Sequence, residues 1–358
     1  MPEIGFLIIG APKAGTTSLF EYMRVHPQIH MPAEKELYFF NMDRSYRRGW
    51  DWYSAAILRG APPGAICGEA TTEYMSGAPY TNITDQPDRG RPPEDTGDDE
   101  SLEEVIPRRI EQVLPDVKLI CVLRDPVARA YSHYRMMALG GVESRTFEEV
   151  VDQLLDPAVL KHTRVARSRD NGYVINGEYA RLLAGFLRVF PREQLMAIFS
   201  DELAQSPRQV LAHLFEFIGA SPDFLPDNLD TRYRAAATKQ RIPGLNLVTW
   251  QMGMARVRSA RALWHALPDR LQRTIDHAYS VTNYRVELWN AWRGAVDDDM
   301  PPAMRERLIA HFRPDSEALA DLLDRDIPWL ATWEGQPAAQ AVETNVEVKT
   351  NAGYERAR

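Results

Sequence analysis

Gly5-Phe-Leu-Ile-Ile-Gly-Ala-Pro-Lys-Ala-Gly-Thr-Thr-Ser18 is the stretch on which the fold turns. Its first half is almost continuously apolar, as expected of a short parallel strand covered on both faces. Its second half is a glycine-bearing turn that runs into a predicted helix, Thr16 to Val25, with Leu19, Tyr22 and Met23 on one side. A strand, a glycine turn and a helix open a βαβ unit. Such a turn exposes successive backbone N–H groups, and the helix N-terminus behind it adds a favourable dipole, so the pair suits a phosphate-like anion. Lys13 adds a mobile positive charge, Ala14 and Gly15 keep the turn open, and Thr16, Thr17 and Ser18 offer hydroxyls. The spacing is close to a P-loop, yet Thr16 stands where an ATP- or GTP-binding loop needs lysine. The lysine lies inside the loop instead, which argues against an ordinary nucleotide hydrolase.

The same alternation continues outward. Val117 to Leu123 is a second apolar strand, followed by Arg124-Asp-Pro126 and a predicted helix from Val127 to Met137. Leu195 to Phe199 is a third, trailed by a helix over Pro207 to Ile218. The expected fold is therefore α/β: a P-loop-like parallel sheet flanked by helices, with ligands at the C-terminal ends of the strands. Residues 1–335 read as one domain. Thr81 to Glu104 is dominated by Pro, Gly and charged residues and reads as a polar loop insertion, and Gln336 to Arg358 as a polar, disordered tail. Helical-looking sequence from Leu245 to Trp292 would pack over the sheet and roof an acceptor cleft.

The chain has 358 residues, 44% hydrophobic and 26% charged, enough to bury a sizeable core. A net charge of -8 and a pI near 5.6 set aside general nucleic-acid binding, which needs a basic face. Its two cysteines, Cys67 and Cys121, form neither a disulfide framework nor a metal cluster and are expected to be buried and inert. No segment is long enough to span a membrane, and the expected compartment is the cytoplasm.

Three motifs in order resemble the sulfotransferases that use 3'-phosphoadenosine 5'-phosphosulfate (PAPS). Ala11-Pro-Lys-Ala-Gly-Thr-Thr17 resembles their 5'-phosphosulfate loop. Lys35-Glu-Leu-Tyr-Phe-Phe-Asn41, with Gly49, Trp52 and Tyr53 after it, is similar to the heparan-sulfate-type (carbohydrate) branch. Leu123-Arg-Asp-Pro-Val-Ala-Arg-Ala-Tyr-Ser132 is similar to the 3'-phosphate segment, and Gly177-Glu-Tyr179, Phe190-Pro191 and Leu308 to Trp329 look like later landmarks. One departure is Glu69-Ala-Thr-Thr72, where Ala70 replaces a lysine that the branch carries near its acceptor. That substitution bears on a glycosaminoglycan acceptor and leaves donor binding untouched.

The resemblance implies PAPS as co-substrate, no metal, and transfer of a sulfuryl group to a hydroxyl or amine of a saccharide or small-molecule acceptor. Lys13 would neutralise charge on the phosphosulfate, together with residues 14–18. Arg124, a permanently charged fork, and Ser132, about two turns into the next helix, would clamp the 3'-phosphate. Glu36 would take the acceptor proton. Glu34 competes with it by composition, and the resemblance selects Glu36; Glu69 is a second carboxylate with an equal claim to a structural role. Arg129 and His133 read as helix-surface groups. Lys239 and Arg241 are candidates to close over the nucleotide. Two other readings stand beside this one: an ATP-dependent small-molecule kinase, and a non-catalytic nucleotide-binding module.

Overall fold

In the computed structural model, residues 3–32, 35–77, 79, 102–139, 142–165, 172–229, 239–240, 291–292 and 300–335 are described. Glu34, the 81–101 stretch, Arg241, most of the region after Leu245 and the 336–358 tail lie outside these residues.

Five parallel strands form the central sheet, in the order β2-β3-β1-β4-β5. They are β1 (Glu3–Gly10), β2 (Ile29–His30), β3 (Ile66–Ala70), β4 (Lys118–Leu123) and β5 (Leu195–Phe199). The expected α/β sheet is present. β1 is its centre, and Phe6, Leu7, Ile8 and Ile9 are all 0% exposed, which is why the strand reads as an apolar run rather than an alternation. The chain leaves β1 toward β2 and β3 on one side and reaches β4 and β5 on the other. The crevice between the carboxyl ends of β1 and β4 is thus the point where the winding reverses, the place where open α/β sheets bind ligands.

Helix α1 (Thr16–Met23) follows β1, and α2 (Asp43–Tyr46) and α3 (Trp50–Leu58) lie between β2 and β3. A 3₁₀ turn, Thr72–Ser76, follows β3. Gly10 ends β1 against it: a Cβ there would lie 2.5 Å from Met75 Cβ, so no larger residue fits. Residues Leu102–Glu104, at the end of the expected insertion, form a second 3₁₀ turn that leads into α4 (Val105–Glu111). Helix α5 (Pro126–Leu139) follows β4; α6 (Phe147–Leu154), α7 (Pro157–Val165), α8 (Gly172–Ile175) and α9 (Tyr179–Leu187) lead to β5. After β5 come α10 (Ser200–Gln205) and α11 (Pro207–Phe217), and then a short antiparallel pair, β6 (Lys239–Gln240) with β7 (Ala291–Trp292). Two helices close the described chain, α12 (Pro302–Leu323) and α13 (Pro328–Trp333).

Two expectations are corrected. Arg129 is fully buried, and its Nη2 donates to the carbonyls of Gly172 and Tyr173; it ties α5 to α8 rather than facing solvent. His133, one turn on, is 6% exposed, and its ring meets that of Tyr173 edge-on, centroids 4.9 Å apart. A buried arginine needs acceptors, and the two carbonyls supply them to Nη2. Cys67 and Cys121 are both free and buried, as expected, and burial pushes both thiols up, Cys121 to about 12. Such thiols are poor nucleophiles.

Candidate active site

The loop between β1 and α1 is built by two left-handed residues, Lys13 (φ 69°) and Gly15 (φ 106°), on either side of buried Ala14. Gly15 caps α1, and its carbonyl accepts from Ser18 N (3.0 Å) and Leu19 N (3.2 Å). The first N–H groups of any helix lack a carbonyl four residues back, so the turn presents donors and the positive end of the dipole together. Lys13 extends over α5, where its Nζ is 3.4 Å from Met136 Sδ.

Arg124 follows the neighbouring strand. Its Nη1 donates to the Lys13 carbonyl at 3.4 Å, so the two expected anion-binding cations share one crevice. Asp125 does not neutralise it. The Asp125 carboxylate accepts from Val127 N (2.8 Å) and Ala128 N (3.4 Å), capping α5, and from Trp333 Nε1 at 3.3 Å. Burial raises the Asp125 pKa, against those hydrogen bonds. The backbone of Arg124 is pinned in turn by buried Tyr179, whose hydroxyl donates to the Arg124 carbonyl at 2.9 Å. Ser132 is half-buried on α5, on the helix that also carries Met136.

Glu36 reaches the same edge from the other side. The segment after β2 docks on the end of β3: Glu36 N donates to the Ala70 carbonyl (2.9 Å), and Tyr38 N to Thr71 Oγ1 (3.4 Å). Both Glu36 (φ 68°) and Tyr38 (φ 52°) are left-handed. Left-handed backbone costs a side-chain-bearing residue on the order of 1–3 kcal/mol. Among the described residues the non-glycine cases are Lys13, Glu36, Tyr38 and Asp324, so three of these four fall in this site. Strain concentrated there is what a preorganised site would show.

Partners missed in the sequence complete this side. The Tyr38 hydroxyl donates to Glu36 Oε2 at 2.5 Å. Lys35 Nζ lies 3.7 Å from Glu36 Oε1 and donates to Thr16 Oγ1 (3.1 Å) and Thr17 Oγ1 (3.2 Å). Beneath them Thr71 donates to Glu69 Oε2 at 2.9 Å, and Tyr53 to Glu69 Oε1 at 3.0 Å. Glu69 is 1% exposed; burial raises its pKa to about 7, against hydrogen bonds from Tyr74, Thr71 and Tyr53 and with the help of Glu36. It therefore supports the platform on which Glu36 stands. Phe39 stacks on Tyr53 (centroids 4.4 Å, 13° between planes), and Phe40 meets Tyr74 edge-on at 5.3 Å, which anchors the segment in the core. Ala70 is 0% exposed, its carbonyl committed to Glu36.

The crevice thus joins a glycine turn with lysine, an arginine at the next strand end, and a carboxylate on a strained segment opposite. Residues 4–241 match the family described as "Sulfotransferase domain". The chain belongs to that family. Among its relatives, human heparan sulfate glucosamine 3-O-sulfotransferase 3B1 is 29% identical over 215 residues, 60% of this chain and 45% of the relative. The human bifunctional heparan sulfate N-deacetylase/N-sulfotransferase 2 is 27% identical over 225 residues, 61% of this chain and 22% of the relative. The chain therefore spans less than half the length of these two curated relatives. A solved sulfotransferase from Alicyclobacillus acidocaldarius shares the fold, with a TM-score of 0.58 and 23% identity, covering 93% of this chain and 100% of that one.

Proposed function

We propose that this sulfotransferase-family protein moves a sulfuryl group from PAPS to an acceptor hydroxyl, or amine, by in-line transfer with Glu36 as general base. The observation that carries the reading is the hydrogen bond from Arg124 to the Lys13 carbonyl, 3.4 Å long, which holds two cation-bearing loops at the ends of adjacent strands. A donor with phosphate groups on the 5' and 3' positions of one ribose needs two such anion sites side by side. A triphosphate would need its cations in one row.

Sulfuryl transfer, like phosphoryl transfer, asks chiefly for positioning and charge stabilisation. The loop amides and Lys13 would hold the phosphosulfate, and Arg124 with Ser132 the 3'-phosphate. As the acceptor oxygen bonds to sulfur, its proton would pass to Glu36, and the electron pair of the breaking S–O bond would go to the 5'-phosphate. Tyr38 orients the carboxylate through Oε2. A saccharide acceptor belongs to the same proposal. Two relatives are named for heparan sulfate, and an aromatic wall of Tyr46, Trp50 and Trp52 lies beside the Glu36 segment. Cytoplasmic residence is also proposed, on the pair of buried free thiols, which suit a reducing compartment.

The test is incubation with sulfur-labelled PAPS, saccharides and a metabolite extract, followed by identification of the labelled product. A labelled ester and stoichiometric PAP support the reading. No PAP binding, combined with ATP consumption, would replace it with the kinase alternative.

A further inference from the structure

Resting on that reading, we propose that Lys35 is a second catalytic cation: its ammonium binds the sulfuryl oxygens in flight, between the phosphosulfate loop and the base. Lys35 Nζ touches both threonine hydroxyls that open α1, at 3.1 and 3.2 Å, so it stands at the rim of the anion cradle without belonging to the loop. The same nitrogen is 3.7 Å from Glu36 Oε1. Any group that travels from the cradle to an oxygen within reach of Glu36 passes this ammonium. Lys13 lies elsewhere in the crevice, reaching Met136 on α5, so the two lysines approach the path from different elements.

The side chain of Lys35 is also held. Only 14% of it is exposed, and it belongs to a segment fixed to β3 by the Glu36 N–H to Ala70 carbonyl bond of 2.9 Å. An ammonium directs three donors, and its hydrogen bonds to Thr16 and Thr17 turn those hydroxyls so that their own protons point away from it. The hydroxyl protons are thereby available to an anion in the turn.

In the transfer, the bond between sulfur and the bridging oxygen breaks and its electron pair stays on the 5'-phosphate of PAP. The acceptor oxygen bonds to sulfur and its proton passes to Glu36. The three non-bridging sulfuryl oxygens keep their charge throughout but move toward the acceptor, away from the loop amides. A fixed cation on the acceptor side follows that displacement, and such preorganised charge stabilises a transition state more than a ground state.

PAP and PAPS differ by the sulfuryl group alone, so the two ligands separate this role from a structural one. Calorimetry and turnover, with the acceptor identified by labelling, should be compared for the natural protein, Lys35→Gln and Lys35→Arg, with thermal melts to establish folding. Lys35→Gln is expected to keep PAP affinity within about twofold, to bind PAPS several-fold more weakly, and to lose roughly 10²–10³ in kcat. Lys35→Arg should recover a substantial part of the rate. If Lys35→Gln weakens PAP and PAPS equally, Lys35 only props Thr16 and Thr17, and the proposal is overturned. Unchanged turnover overturns it too. A natural protein that binds neither ligand would overturn the sulfotransferase reading itself, a result distinct from both. Should Lys35→Gln fail to fold, Lys35→Met replaces it under the same criteria: weaker PAPS binding and lost kcat with PAP affinity intact support the role, and equal weakening of PAP and PAPS, or unchanged turnover, overturns it.

Discussion

The Tyr38 hydroxyl donates to Glu36 Oε2 at 2.5 Å across a turn in which both residues are left-handed. The phenol fixes one carboxylate oxygen, and Oε1, on the Lys35 side, is the oxygen left to meet an acceptor. Glu36→Gln keeps shape but removes basicity. The rate should fall roughly 10²–10⁴-fold at saturating acceptor, with PAP affinity nearly unchanged. Tyr38→Phe should cost less, because it loosens the base without deleting it. Steady-state kinetics of both variants checks this ranking, and near-normal turnover by Glu36→Gln would move the base elsewhere, with Glu34 and Glu69 the next to test.

Arg124 is expected to read the 3'-phosphate through a charge-assisted fork. PAP should then bind the natural protein much more tightly than ADP does, and Arg124→Ala should abolish most of that preference while the protein still melts cooperatively. Lys13→Ala should behave differently, weakening PAPS binding and the chemical step together. Equal affinity of the natural protein for PAP and ADP would remove the clamp from the proposal.

The parts of the fold legible in the sequence are those whose cause is local. β1 and β4 are buried on both faces, and nothing in them interrupts the apolar run. β3 was not legible, because Ile66-Cys-Gly-Glu-Ala70 carries a carboxylate at 1% exposure, stabilised by Tyr53 and Thr71, which lie on a helix and at the strand's end. Arg129 was misread for the same reason: its acceptors, the Gly172 and Tyr173 carbonyls, are distant in sequence. Lys13 and Arg124 could be proposed from motifs, since strand ends and glycine turns announce themselves, and Glu36 only through the family resemblance. The roles of Lys35 and Tyr38 could not, because left-handed backbone at Glu36 and Tyr38, not sequence spacing, sets where those side chains point.

Glu178 organises the helical layer behind Arg124. Its carboxylate accepts from Arg164 Nη2 (2.7 Å), Arg181 Nε (2.6 Å) and His311 Nε2 (3.1 Å), linking α7, α9 and α12. Burial opposes its ionisation, but hydrogen bonds from His311 and Arg164 and the charge of Arg181 outweigh burial and bring its pKa down to about 2. A carboxyl with a depressed folded-state pKa adds stability above its unfolded value, and that stability is lost as pH falls through the folded one. Glu178→Gln should therefore be clearly destabilised at neutral pH, by about 3 kcal/mol, since the ionised carboxylate is lost while Arg181 keeps its ion pair with Glu103. Its deficit relative to the natural protein should shrink between about pH 4.5 and pH 2. Urea titrations across that range check it, and a deficit independent of pH would show that shape rather than charge is lost.

Glu69 should give the opposite sign. Burial raises its pKa to about 7, and the hydrogen bonds from Tyr74, Thr71 and Tyr53 only partly offset this. A carboxyl whose folded-state pKa lies above its unfolded value contributes most below the unfolded pKa, near 4.5, and that contribution is lost as pH rises through 7. Glutamine keeps a single acceptor oxygen for the hydroxyl donors Tyr53, Thr71 and Tyr74, and cannot ionise. Glu69→Gln should therefore be less stable than the natural protein at pH 5, where the natural carboxyl is neutral and fits its pocket. Between pH 5 and pH 8 the balance should swing toward the variant by on the order of 3 kcal/mol, the ionisation that glutamine avoids. Urea midpoints at the two pH values measure the swing. A stability gap that stays constant would mean that Glu69 holds the same charge across the range. Because Thr71 also accepts from Tyr38 N, the variant's kcat should drop modestly at both pH values while PAP affinity holds, separating support of the Glu36 turn from donor binding.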